Sequence, residues 1–180
     1  MATTDTERLK KTEERLKHGD CEAYYMLGAR YLEGMPPLKQ DTKKGLELMN
    51  QAAELGLQAA HHTLGCFHAF GQKGARKDEK KGLYHLRLAA IGGMLESRYL
   101  LGEVYCRRNP KLACKHFLIA AEAGHDESLK GVKTGYAEGH VEKDVFEKVL
   151  RAHKAAKNEV KSEARDKAAE WWHRQSAGKK

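Results

Sequence analysis

Long hydrophobic runs are missing. No stretch of about 18 or more apolar residues occurs, so nothing in the chain is built to cross a bilayer as a helix. The opening MATTDTERLKK lacks an apolar core ahead of a small-residue cleavage site, which argues against a secretory signal. Four cysteines, Cys21, Cys66, Cys106 and Cys114, are unevenly spaced with no C-x-x-C pair, and reduced thiols in a cytosolic or nuclear compartment are expected. Aromatic residues make up only 7% of the chain, and proline, which interrupts helices, occurs three times. What remains is 41% apolar and 32% charged in 180 residues, enough for one domain or a short array with a continuous core. A net charge of +8 favours acidic partners, although lysines on exposed helix faces also serve solubility.

The organising feature is a repeat. Ala23, Leu27, Gly28, Tyr31 and Gly34, followed by Lys44, Ala52, Ala53 and Gly56, return at an offset of 37 residues as Ala60, Leu64, Gly65, His68 and Gly71, then Lys81, Ala89, Ala90 and Gly93. A second offset gives Ser97, Leu101, Gly102 and Tyr105. A register kept over two periods signals stacked units. Glycine inside a helix costs about 1 kcal/mol against alanine, so Gly28, Gly65 and Gly102 need a compensating reason. Close approach of a neighbouring helix supplies it, and the Ala52-Ala53, Ala89-Ala90 and Ala120-Ala121 pairs are its counterpart.

Read in order, Thr4 to Glu7 has capping-box spacing and opens a helix ending at Gly19. It is expected to lid the N-terminal end of the array over 1–19. Units follow at 20–56, 57–93, 94–124 and 125–157. Asp20, Asp41 and Asp78 are expected N-caps, as is Asn109 with Pro110 in the first turn. Leu46, Met49 and Ala53, with Leu48, Ala52 and Leu55, are expected to form the buried stripe of the first unit's second helix. The third unit has a shortened loop. In the fourth, Ser128, Val132, Tyr136 and Gly139 fill the marked slots while Lys133 replaces the glycine. A capping box from Asp144 to Glu147 is expected to open a helix to about Lys157, continued through 158–180 as a capping helix with Val160, Ala164, Ala168 and Trp171 at helical intervals. Trp171 and Trp172 are the expected plug, with fraying from Gln175.

The pattern A-x3-L-G-x2-Y-x2-G, a loop, then K-A/G-x6-A-A-x2-G resembles the Sel-one-like repeat family, a relative of the tetratricopeptide repeat. The resemblance covers about Gly19 to Lys157 and implies an all-α, right-handed solenoid of antiparallel helix pairs that serves as an adaptor for protein complexes. His68 in the tyrosine slot, Lys133 in the glycine slot and the short third loop are departures from it.

Chemistry is sparse. His61, His62, Cys66 and His68 cluster, but only His62 and Cys66 share a helix face, too few for a closed zinc site, and His68 is expected in the core by register. Cys114 and His116 are two apart and do not face one another. Cys66 and His62 lack an orienting carboxylate or oxyanion donors. No glycine loop is placed to cradle a phosphate. The expectation is therefore no catalysis, no metal and no cofactor. On the side of the first helices opposite the leucine and tyrosine slots stand Tyr25, His62, Tyr99 and Lys130, with Ala29, Cys66, Glu103 and Thr134 beside them. Stacking would align Tyr25, His62 and Tyr99 as a column of anchors for a protein or peptide segment, an acidic one being favoured by charge, or would half-bury them against the next repeat. The alternatives are a fixed structural subunit and a basic RNA- or ribonucleoprotein-associated factor. The latter would use the Lys73 to Lys81 loop with Arg151, Lys154, Lys157 and Lys161.

Overall fold

The computed structural model describes residues 4–177, with side chains except at 164 and 169–177. Among the described residues nine helices follow one another: α1 (Asp5–Lys17), α2 (Cys21–Glu33), α3 (Thr42–Glu54), α4 (Gln58–Phe70), α5 (Glu79–Ile91), α6 (Leu95–Tyr105), α7 (Pro110–Glu122), α8 (Asp126–Ala137) and α9 (Lys143–Ala177). They pack as consecutive antiparallel pairs, the fold expected from the repeat. The chain divides into two compact units, Met1–Ser97 and Arg98–Lys180.

In the first unit α1, α2, α3 and α5 begin where a short polar side chain can satisfy the free backbone donors of the first turn, whereas α4 begins at Leu57 with no side-chain cap. Thr4 and Glu7 form the full capping box of α1. Asp20 caps α2 through the Glu22 and Ala23 amides, and Asp41 and Asp78 cap α3 and α5 through the Lys44 and Lys81 amides. Gly34 and Gly71 end α2 and α4 in the left-handed region, with φ of 65° and 68°, where a Cβ would be strained. Leu9 and Thr12 form the buried face of α1, which packs on α2.

The helix pairs meet at glycine. A Cβ on Gly28 would stand 3.0 Å from the Gly45 carbonyl oxygen, and one on Gly45 would stand 2.7 Å from Leu32 Cγ. In the second pair a Gly65 Cβ would stand 2.7 Å from Leu86 Cγ, and a Gly82 Cβ 2.6 Å from the Ala69 backbone nitrogen. Close approach is therefore the compensation for the internal glycines, and Gly45 and Gly82 share the role. Between pairs, Leu32, Met49, Ala52, Ala53, Ala60 and Leu64 form one buried cluster; each large apolar side chain removed from water in this way contributes about 2 kcal/mol.

Three expectations are corrected. Leu55 lies 52% exposed because it is the C-cap, past the last residue that faces the cluster. Leu46 and Leu48 are only half-buried. His68 is half-buried rather than core, with its ring near the Arg76 carbonyl. Tyr31, which holds the same slot in the first module, is also half-buried, and Lys44 Nζ sits 4.4 Å above its ring, a cation–π contact that pairs two marked residues.

In the second unit Asn109 caps α7 through the Leu112 amide, with Pro110 at its first turn. Phe117 is the wedge: a Cβ on Gly102 of α6 would clash with Cε1 of its ring, and one on Gly131 of α8 would meet Cδ2 at 2.7 Å. The ring is held edge to edge between two glycines, and Phe117 joins Ala113, Ala121, Val132 and Val149 in a second buried cluster. Lys133 is exposed, so close approach in this module has moved to Gly131 and to Gly135, whose Cβ would meet the Cys114 sulfur. Ser128 and Val132 are fully buried, while Tyr136 is partly exposed and stacks on Phe146 at 4.4 Å.

α9 starts at Lys143, so Asp144 sits in its first turn rather than capping it. Its N-terminal part packs on α7 and α8, and Asp126 receives Lys157 at 2.6 Å with His153 Nε2 at 3.1 Å. Beyond Lys157 the described side chains are exposed except Ser162, which is half-buried, and Val160 is 66% exposed. The Ala164, Trp171 and Trp172 side chains lie outside the described residues, so the plug has no observed counterpart. The backbone stays helical through Ala177, beyond the Gln175 where fraying is expected.

Candidate functional site

Two of the outward slots of the first helices, Tyr25 and His62, are half-buried ties. Tyr25 packs against the first cluster, and its hydroxyl lies 3.3 Å from Thr63 Oγ1 on α4. His62 Nδ1 lies 2.8 Å from Ser97 Oγ on α6, a hydroxyl with no exposure. Each side chain thus reaches from one first helix to the next, leaving part of its ring at the surface. Burial pushes the His62 imidazole toward its neutral form, with Glu96 opposing. Cys66 Sγ lies 3.8 Å from His62 Nε2, but burial pushes its thiol up, the opposite of an activated nucleophile. Tyr99 packs in the second unit, 5.8 Å from the Phe117 ring and 5.4 Å from His125. Glu103 and Lys130 are exposed, and Lys130 is held by Glu127 at 2.7 Å.

No group of three His, Cys, Asp or Glu side chains able to hold a metal ion occurs among the described residues. The histidines instead pair with a residue the sequence reading did not single out. His85 is 6% exposed; its Nδ1 lies 3.0 Å from His61 Nδ1, and His68 stacks on it at 6.1 Å between centroids. Desolvation first, then the charges of His61, His68 and Lys81, lower its pKa to about 4. A proton on both facing nitrogens would set two donors against each other. His125 is a second unforeseen histidine. Its Nδ1 accepts from the Ser128 amide at 3.1 Å and caps α8, as an aspartate would.

The second unit also holds a cavity of about 260 Å³ among α6, α7 and α8, lined by Glu103, Cys106, Cys114, Phe117, Gly135 and Glu138 among others. Burial raises both thiols, and the carboxylate of Glu138 adds to it in each case. Comparing modules slot by slot would have found it: Gly135 stands where Val104 and Phe67 stand earlier, and Cys114 where Leu83 and Leu46 stand.

Of the basic residues considered for RNA, Lys73 is paired with Glu33 at 2.7 Å, Lys157 with Asp126, and Arg151 approaches Glu147 at 3.9 Å. No helix among the described residues is long and apolar enough to cross a membrane.

Comparison with known proteins agrees with the repeat. The chain is similar to a Sel1 repeat protein from Oxalobacter formigenes, with 29% identity and a TM-score of 0.65 over 71% of this chain and 98% of that one. It is also similar in fold to a protective antigen of uropathogenic Escherichia coli with an SLR fold, at 24% identity and a TM-score of 0.72 over 84% of this chain, which spans 33% of that protein. No curated protein matches. The Sel1 repeat matches residues 21–57, 58–94 and 96–125, more than half of the sequence, and the chain belongs to the Sel1 repeat family.

Proposed function

We propose that this chain is a non-catalytic scaffold that holds a protein or peptide segment against the outward faces of its first helices. Tyr25, His62 and Tyr99 are the anchors, and Cys66, Glu103 and Lys130 flank them. The observation that carries the reading is the fixing of Tyr25 and His62 by the following helix. A half-exposed ring already locked in place loses little rotamer freedom on binding, so more of its contact energy is realised as affinity. Membership of a helical-repeat family whose pairs present side chains in register supports the same reading. The ion pairs of Lys73 and Lys157 count against the RNA alternative, since these two charges are already engaged by carboxylates.

The test begins with affinity capture of the partner and measurement of its Kd. Tyr25→Ala, His62→Ala and Tyr99→Ala are then compared singly, each with a circular dichroism melt. At least one is expected to weaken binding about tenfold while the variant remains folded at the assay temperature. Unchanged affinity in all three folded variants would remove these residues from the site, and binding that falls steeply with salt and is lost on nuclease treatment would favour the RNA reading.

A further inference from the structure

The cavity among α6, α7 and α8 is lined in part by residues smaller than those at the matched positions of earlier modules. Aligning Ser128 with Ser97 puts Gly131 in the slot of Leu100 and Gly135 in that of Val104. One module earlier those slots hold Thr63 and Phe67. Aligning Ala120 with Ala89 puts Cys114 in the slot of Leu83. Gly135 and Cys114 pack directly against each other, a Cβ on the glycine meeting the sulfur, and the cavity opens beside that contact. Phe117 fills part of it from α7, but about 260 Å³ remains. That is below the roughly 300–1,000 Å³ of sites that enclose drug-sized ligands, and suits one long side chain.

The chemistry of the lining selects its charge. Glu103 on α6 and Glu138 at the end of α8 supply two carboxylates, against one fixed cation, Arg107, and His140, whose Nε2 lies 3.7 Å from Glu138. Phe117 adds an aromatic surface. Carboxylates beside an aromatic ring and a narrow, partly apolar shaft match an alkyl stem ending in a cation. A guanidinium satisfies both, pairing with carboxylates and packing on aromatic surfaces. Glu103 and Thr134 both line the cavity, and Glu103 is also one of the residues assigned above to partner binding.

We infer that this cavity is a receptor pocket for one arginine side chain of a bound protein segment, with Glu103 and Glu138 engaging the guanidinium and Phe117 contacting the stem. The pocket rests on the scaffold reading, but its own chemistry can be tested without the partner. The probe is arginine blocked at both termini, with equally blocked citrulline as its neutral counterpart, titrated into the full chain while backbone amide NMR signals are followed. Expected are saturable shifts at Cys106, Gly131, Thr134 and Gly135 with the arginine probe. Citrulline and the Glu103→Gln/Glu138→Gln variant should each bind at least about tenfold more weakly, with the variant's melt retained. Equal shifts with citrulline, undiminished shifts in the variant, or no saturable shift at these residues would overturn the pocket. None of those outcomes bears on the alanine substitutions at Tyr25 and His62, so the two readings fail separately.

Discussion

Leu86 and Phe117 hold the same slot in successive modules, yet they are accommodated differently. Leu86 lies over Gly65, while Phe117 needs Gly102 on one edge and Gly131 on the other. Enlarging one buried side chain thus accompanies a new glycine in the following helix, where the ring takes the place of the missing side chain. The comparison shows that a repeat can keep its fold while changing volume locally, provided that neighbouring slots change together.

Three experiments sharpen that contrast. The largest effect is expected at Gly82 in the first unit, where a helix backbone rather than a side chain limits the approach. Gly82→Ala places a methyl against the Ala69 backbone, which no rotamer change relieves, and should lower unfolding stability in urea by about 3 kcal/mol.

Next comes acid. The folded-state pKa of His85 is lowered to about 4 from 6.5, so between those values the unfolded chain binds a proton that the folded chain does not. Stability contributed by neutral His85 is complete above pH 6.5 and is lost as pH falls toward 4, by about 3 kcal/mol. Leucine stands at the matched position, Leu48, and His85→Leu should flatten urea midpoints measured across that window. An equally steep decline in the variant would assign the loss to other groups.

The smallest effect tests the wedge itself. Gly102→Ala should cost about 2 kcal/mol against Phe117, and adding Phe117→Leu, the residue of the preceding module, should restore about 1 kcal/mol of it. Strict additivity in the cycle would mean that the two positions are not coupled.

Much of the fold was readable because its determinants are local or periodic. Asp20, Asp41, Asp78 and Asn109 cap helices through amides two or three residues away, and a repeated glycine declares a repeated contact. The features that escaped depend on pairs distant in sequence. His61 and His85 are 24 residues apart on helices whose relative rotation the periodicity does not specify. His125 caps with a ring nitrogen where the expected residue is Asp, Asn, Ser or Thr. Helical spacing places Tyr25 and His62 two residues after the marker alanines, but only coordinates reveal the reach of Tyr25 to Thr63 and of His62 to Ser97. The cavity was hidden for another reason: the fourth module was aligned on the residues it retains, and Gly131 and Gly135 are informative for the side chains they omit.

The glycines that follow α3, α5 and α7 carry one further implication. Gly56, Gly93 and Gly124 take nearly the same backbone angle, with φ of 86°, 93° and 91°. Each is followed by an amide that bonds back to the first alanine of the preceding pair: Leu57 to Ala52, Met94 to Ala89 and His125 to Ala120. The splice between one module and the next is therefore a standard part, made of the same dihedral and the same hydrogen bond whatever lies on either side. A gene encoding such a chain can gain or lose cassettes at these joints without inventing a new connector, and diversity can accumulate in the faces between them.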